Sequence, residues 1–166
     1  IKSKKMNMED KEFIFESPLS AQQQAWRTKH PDWISDHFYM GEFMYSAVAV
    51  ERGLENTPTP EARKAIRNLV KNLLEPLRRY AGCSEGMHIS SGYRCEELNR
   101  LVGGVKNSQH LTGEAVDIYT LDNCYLFNAL QRSGLNFDQV IYYRRRNFIH
   151  LSLKLKGKNR RQVIIK

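Results

Sequence analysis

Apolar residues in this chain recur first at helical and later at strand spacing. After Thr59, the residues Ala62, Ile66, Leu69, Leu73, Leu77 and Tyr80 form one stripe at three- and four-residue steps, the period of a helix with one buried face. Thr59 suits the N-cap and Pro60 the first turn. Pro76 predicts a kink or a register shift, and Gly82 the end of the helix. Ahead of this stripe, Ser20 to Lys29 is helix-compatible, and Gly41 to Arg52 reads as a single helix stopped by Gly53. Beyond Gly82 the segments shorten. Met87 to Ser91 reads as a strand, Glu96 to Val102 as a brief helix closed by Gly103-Gly104, and Ala115 to Ile118 as a strand. Asp122 caps a predicted helix from Asn123 to Arg132, ended by Gly134. Asp138 to Tyr143 and Asn147 to Leu153 predict an antiparallel hairpin, and a last strand runs from Gln162 to Ile165. Helices first and hairpin-linked strands later predict an α+β fold with a mainly antiparallel sheet.

With 166 residues the chain is long enough for one domain with a real hydrophobic core. No apolar run approaches the roughly 18 residues of a membrane span. The opening IKSKKMNMEDKEF has lysines but no apolar signal region. Trp26 and Trp33 read as pins for an N-terminal arm, or alternatively as an aromatic wall beside a groove. The net charge of +8 and pI near 9.5 add a second theme. Much of that charge sits in Arg144-Arg145-Arg146 and in the tail KLKGKNRRQVIIK. Such patches suit a polyanion, whether nucleic acid, an anionic cell-wall polymer or a lipid surface, and a plain solvated basic surface is the commonest case. Zinc-finger, RNP and basic-zipper patterns are absent, so no specific nucleic-acid partner is expected. Cys83, Cys95 and Cys124 are widely spaced and odd in number, which indicates neither a thiolate cluster nor a disulfide framework.

The candidate chemistry lies in Ser108-Gln109-His110-Leu111-Thr112-Gly113-Glu114-Ala115-Val116-Asp117-Ile118. Strand alternation puts Ala115 and Asp117 on one face, and Gly113 permits a tight turn between the histidine and that strand. In Phe148-Ile149-His150-Leu151-Ser152-Leu153, the residues Phe148, His150 and Ser152 share the other candidate face. His110, Asp117 and His150 together make a three-ligand set for one Zn2+ ion, with a fourth position open, which is the catalytic rather than the structural pattern. Another divalent ion is compatible with the same groups.

Four blocks in fixed order, SGYRCEELNRLVGG, SQHLTGEAVDI, FDQVI and FIHLSL, resemble the zinc D-alanyl-D-alanine carboxypeptidase family. That family shares its fold with the Hedgehog signalling domain and includes phage endolysins that cut peptidoglycan stem peptides. The resemblance extends upstream through ISDHFYMGEFMYSAVAVERGLENTPTPEARKAIRNLVKNLLEPLRRYAG and divides the chain into an arm (1–33), a zinc peptidase-like domain (34–153) and a basic strand or tail (154–166). It implies an α+β Hedgehog/DD-peptidase-like fold in which Arg94 faces the metal and contacts the substrate or its developing oxyanion. Ser108 and Gln109 resemble the polar residues beside the first ligand that orient substrate or the ligand ring.

The chain departs from the family at the proton shuttle. Relatives carry an acid two residues after the isoleucine of the DQ-x-I block, or three before the last histidine; here those positions are Tyr143 and Asn147. Glu114 falls on the face opposite Asp117, and Asp138 lies far along its strand. Three outcomes stay open: Tyr143 gives electrophilic or weak-acid help, a distant carboxylate such as Glu85 reaches in, or the site binds without turnover. The leading expectation is a monomeric zinc peptidase acting on peptidoglycan stem peptides at the cell wall, as carboxypeptidase or endopeptidase. It reaches the wall either by export or by release of a cytoplasmic phage-type enzyme. The alternatives are a catalytically silent zinc-containing wall- or peptide-binding module and, third, a nucleic-acid binder using the basic turn and tail.

Overall fold

A computed structural model describes residues 21, 25, 32–84 and 86–166. Trp26 and, apart from helical Ala21 and Ala25, the predicted Ser20–Lys29 helix lie outside them, as does Glu85. The described helices are α1 (Met40–Met44), α2 (Ala47–Glu51), α3 (Pro60–Leu69), α4 (Glu75–Ala81), α5 (Glu96–Leu101) and α6 (Asn123–Arg132). A π-helical turn, Val70–Leu74, joins α3 to α4, and a 3₁₀ turn spans Gln109–Thr112. The strands are β1 (His88–Ser91), β2 (Ala115–Tyr119), β3 (Gln139–Tyr143), β4 (Phe148–Ser152) and β5 (Gln162–Ile165). They form one sheet in the order β1-β2-β4-β3-β5. The first three pairings are antiparallel and β3–β5 is parallel, so the fold is α+β with a mixed sheet. No helix among the described residues is long and apolar enough to cross a membrane.

The sheet's two faces follow from alternation. Val116, Ile118, Val140, Ile149 and Leu151 are buried in one core with the helices, while Asp117, Tyr143, Phe148 and His150 occupy the opposite face. Thr59 caps α3 by accepting from the Ala62 N–H at 3.1 Å, and Asp122 caps α6 through Tyr125 N–H at 2.8 Å.

Two sequence expectations are corrected. The segment Gly41–Arg52 is two short helices, because Tyr45 is extended and Ser46 turns to cap α2 through Ala49 N–H. Tyr80 leaves the apolar stripe and is half exposed, with Ala81 buried instead. The π turn is the reason. There the Glu75 N–H bonds the Val70 carbonyl five residues back, which adds a residue to the turn and rotates everything after it. Pro76 supplies the cause, since it cannot donate to the Asn72 carbonyl and its ring crowds that group.

Trp33 sits more than half exposed, its ring tilted against Tyr39 at 5.3 Å.

Gly113 fixes how the 3₁₀ turn meets α3. Its φ is +75°, and a Cβ there would stand 2.5 Å from the Ala62 carbonyl oxygen. Gly113→Ala is expected to cost about 2–4 kcal/mol, from left-handed strain together with overpacking. Denaturant unfolding measures it; a loss under about 1 kcal/mol would show that the turn yields easily.

Candidate metal centre and substrate cleft

Asp117 and His150 are direct register partners across β2 and β4. The backbone ladder therefore sets their separation, and His150 Nδ1 lies 3.0 Å from Asp117 Oδ1. The third group arrives from the 3₁₀ turn. Ser108 caps it, accepting from the His110 N–H at 3.3 Å, and the chain then turns back through Gly113 into β2. His110 Nε2 reaches the same Asp117 Oδ1 at 3.3 Å. The three candidate ligand atoms all lie within 4.8 Å of one another. A tetrahedral ion bound at about 2.0–2.2 Å spaces its ligands by roughly 3.3 Å, so the triangle is of the right size.

The surroundings also suit a cation. His110 is buried and its Nδ1 lies 2.7 Å from the Gly92 carbonyl oxygen. A carbonyl only accepts, so Nδ1 donates there and Nε2 is the ring nitrogen turned to the cluster. Burial opposes ionisation of Asp117, but the flanking His110 and His150 outweigh it and hold its carboxyl well below the usual range. The donor set (two imidazoles, one carboxylate) is that of a zinc site with an open position.

Arg94 stands beside this group. Its Nη2 donates to the other Asp117 oxygen, Oδ2, at 3.3 Å, and its Nε donates to Ser91 Oγ at 3.1 Å. Its backbone N–H bonds the His110 carbonyl at 3.0 Å. Gly92 makes the approach possible, since a Cβ there would meet the Phe43 carbonyl oxygen at 2.5 Å.

A groove passes the cluster on both sides. One half, about 800 Å³, is rich in hydroxyls, lined by Tyr45, Ser46, Ser90, Tyr93 and Tyr119 among others. The other, about 570 Å³, contains Ser108, Gln109, His110, His150 and Tyr143. Arg94, Asp117, Arg146 and Phe148 line both. Asp117 is the groove's one carboxylate among the described residues. Glu114 is turned away, with Oε1 accepting from Thr112 Oγ1 and Oε2 from the Leu155 N–H, both at 2.7 Å. Asn147 takes a positive φ of 53° in the hairpin turn, where the Asn123 amide binds its carbonyl at 2.8 Å.

Asp138 is fully buried behind the groove. Arg160 Nη2 donates to it at 2.7 Å, Gln109 Nε2 at 3.0 Å, and Lys154 Nζ lies 3.6 Å away. Gln109, next to the ligand His110, is thereby tied to the segment after β4. Burial resists ionisation of Asp138, yet the Arg160 and Gln109 hydrogen bonds prevail and push its pKa down to about 2. A depressed carboxylate stabilises the fold at every pH above its unfolded value, about 4, and loses that contribution as pH falls from there toward 2. Asp138→Asn is expected to remove about 2 kcal/mol at neutral pH and to flatten stability between pH 4 and 2. Urea unfolding across that range tests it, and an unchanged acid limb would count against the clamp.

Asn56 is not among the residues that the sequence singles out. It is buried, donates to the Met44 and Tyr93 carbonyls at 2.8 and 2.9 Å, and accepts from the Cys95 N–H at 2.7 Å. It thus fixes the loop that presents Gly92 and Arg94. Arg160 was missed as well, and its partner Asp138 was weighed only as a proton shuttle. Neither residue has a local signal, because the partners lie 12 to 39 residues apart.

No curated protein gives a significant match to this chain. The profile of the family described as peptidase M15 matches residues 36–152, a stretch that holds all three candidate ligands, Arg94 and the paired strands between them. On that match, which spans most of the chain, the protein belongs to the peptidase M15 family, the zinc D-Ala-D-Ala carboxypeptidase family.

Proposed function

We propose that this protein is a zinc-dependent peptidase that hydrolyses peptide bonds in peptidoglycan stem peptides, as a D,D-carboxypeptidase or endopeptidase. The observation that carries this reading is the His110–Asp117–His150 triangle beside Arg94, in a groove open on both sides, within a peptidase M15 chain. The three residues hold the ion, which when bound polarises a carbonyl and makes water nucleophilic at neutral pH.

The remaining roles belong to the chain's own groups. Arg94 is held by Ser91 and Asp117, and directs its remaining N–H bonds to the substrate carbonyl oxygen as negative charge develops there. Ser108 offers a hydroxyl to the substrate. Gln109, its amide nitrogen engaged by Asp138, offers its side-chain carbonyl to a substrate N–H. Tyr143 stands where relatives carry an acid and donates a hydrogen bond from its hydroxyl. General acid–base help is worth about 10²–10⁴-fold, so an enzyme without that carboxylate is a slow one.

The test is mass spectrometry of peptidoglycan fragments after incubation with zinc-loaded protein, with chelated protein as control. Zinc-dependent stem-peptide fragments are expected, and they identify the bond. Tyr143→Phe keeps the ring and should lower kcat by roughly tenfold. A fully zinc-loaded protein that yields no fragments would overturn the peptidase reading and leave a binding module.

A further inference from the structure

One wall of the groove carries a feature of which the mechanism above uses only the Tyr143 hydroxyl. Tyr143 and Phe148 are direct register partners on β3 and β4, and their rings stack at 4.5 Å with 13° between the planes. A cation sits over each ring. The Arg146 guanidinium carbon is 5.1 Å from the Phe148 centroid, and Lys166 Nζ is 5.6 Å from that of Tyr143. All four side chains line the same half of the groove. Such contacts hold a long, flexible cation in place while leaving its N–H donors free for a ligand.

The charges of this half do not cancel. Arg94 is bonded to Asp117 and Arg160 to Asp138. Arg146 and Lys166 have no Asp or Glu partner among the described residues, and Asp117, already shared, is the one carboxylate in the lining. The other half of the groove shares Arg146 and the Arg94–Asp117 pair and is otherwise walled by hydroxyls, rings, aliphatic groups and Asn147. The groove is therefore asymmetric in charge: Arg146 is common to both halves, and Lys166 adds a second uncompensated cation to this one. Arg146 lines both halves, so it stands where they meet.

The register gives a scale. The Tyr143–Phe148 pair is two residues along the strands from the Ile141–His150 pair, about 7 Å. That is the length of two residues of an extended peptide. Lys166 also lies outside the stretch matched to the family, residues 36–152, so one of the two cations belongs to a part of the chain that the match leaves out.

We propose that the stacked wall is a carboxylate subsite. Arg146, with Lys166 further out, takes a free carboxylate of the peptide within about two residues of the scissile bond, so acidic peptides are preferred over their amidated forms. This deepens the peptidase reading and rests on it. The carboxylate comes either from the peptide's own C-terminus or from an acidic residue within it.

Three synthetic stem peptides separate these sources: one with every carboxylate free, one with the internal acid amidated, and one with the C-terminus amidated. Zinc-loaded wild type, Arg146→Gln and the Arg146→Gln/Lys166→Gln double variant are compared by kcat/KM. Wild type is expected to favour the free acid over one of the amides by roughly 10- to 100-fold, the worth of a hydrogen bond to a charged group. The disfavoured amide identifies the source. The preference should narrow in Arg146→Gln and fall to about twofold or less in the double variant. Equal rates on all three peptides, or a preference that survives the double change, would overturn the subsite while leaving the peptidase intact. If no peptide is cut, equilibrium binding of the same three peptides decides. Discrimination that the double variant loses would keep the subsite and discard the peptidase, and equal binding would discard both.

Discussion

His110→Ala is expected to abolish zinc-dependent hydrolysis and to weaken zinc binding by well over 100-fold. Disturbing the partners of a metal ligand already costs about 10- to 100-fold in affinity, and here a ligand itself is lost. The change also has a structural cost. His110 is buried, and its Nδ1–H satisfies the Gly92 carbonyl at 2.7 Å, so alanine strands that acceptor at roughly 1–3 kcal/mol. Activity alone would therefore be ambiguous. His150→Ala removes a ligand with a different set of neighbours, and the two variants should fail alike. Metal-linked stability supplies the second readout. Zinc at about 100 times its Kd should stabilise wild type by roughly 2.7 kcal/mol and leave either variant unmoved. A variant that still gains stability from zinc would show that the ligands lie elsewhere.

Arg94→Ala is the second large effect, expected to lower kcat/KM by about 10²–10³-fold, the usual cost of losing a donor aimed at developing charge. Arg94→Lys should recover little. The guanidinium serves Ser91 through Nε and Asp117 through Nη2 at the same time, and an ammonium has no planar fork with which to do so. Because Asp117 is also a candidate ligand, zinc affinity should fall with activity, by up to about 10- to 100-fold. Full activity in the lysine variant would reduce Arg94 to a point charge.

Much of this was legible because the relevant signals are local. Alternation alone put Asp117 opposite Val116 and Ile118, and His150 opposite Ile149 and Leu151, and in the structure the aliphatic set packs in the core while Asp117 and His150 line the groove. Thr59, Pro60, Asp122 and Gly82 marked helix ends for reasons contained within one turn. What stayed hidden depends on long-range partners. Tyr80 fits a perfect 3.6-residue stripe and leaves it only because the π turn before Pro76 rotates the frame. Asn56 looks like any turn asparagine until the chain brings Met44, Tyr93 and Cys95 around it. Gln109 reads as a residue facing substrate, and the structure adds its second attachment to Asp138. The parallel pairing of β5 with β3 likewise has no trace in the composition of either strand.

The pairing of Asp117 with His150 across adjacent strands bears on how such a protein changes over time. Two of the three candidate ligands are spaced by the interior of a sheet, whereas Arg146 sits on the hairpin connection at its rim. The turn over residues 144–147 can be lengthened, shortened or recoloured without stretching the rungs that hold those two side chains. The rim of the groove and the spacing of the paired candidate ligands are thus inherited on separate parts of the chain. A lineage is free to vary the hairpin tip while that pair stands still, and a designer can graft new tips here and expect the spacing to survive.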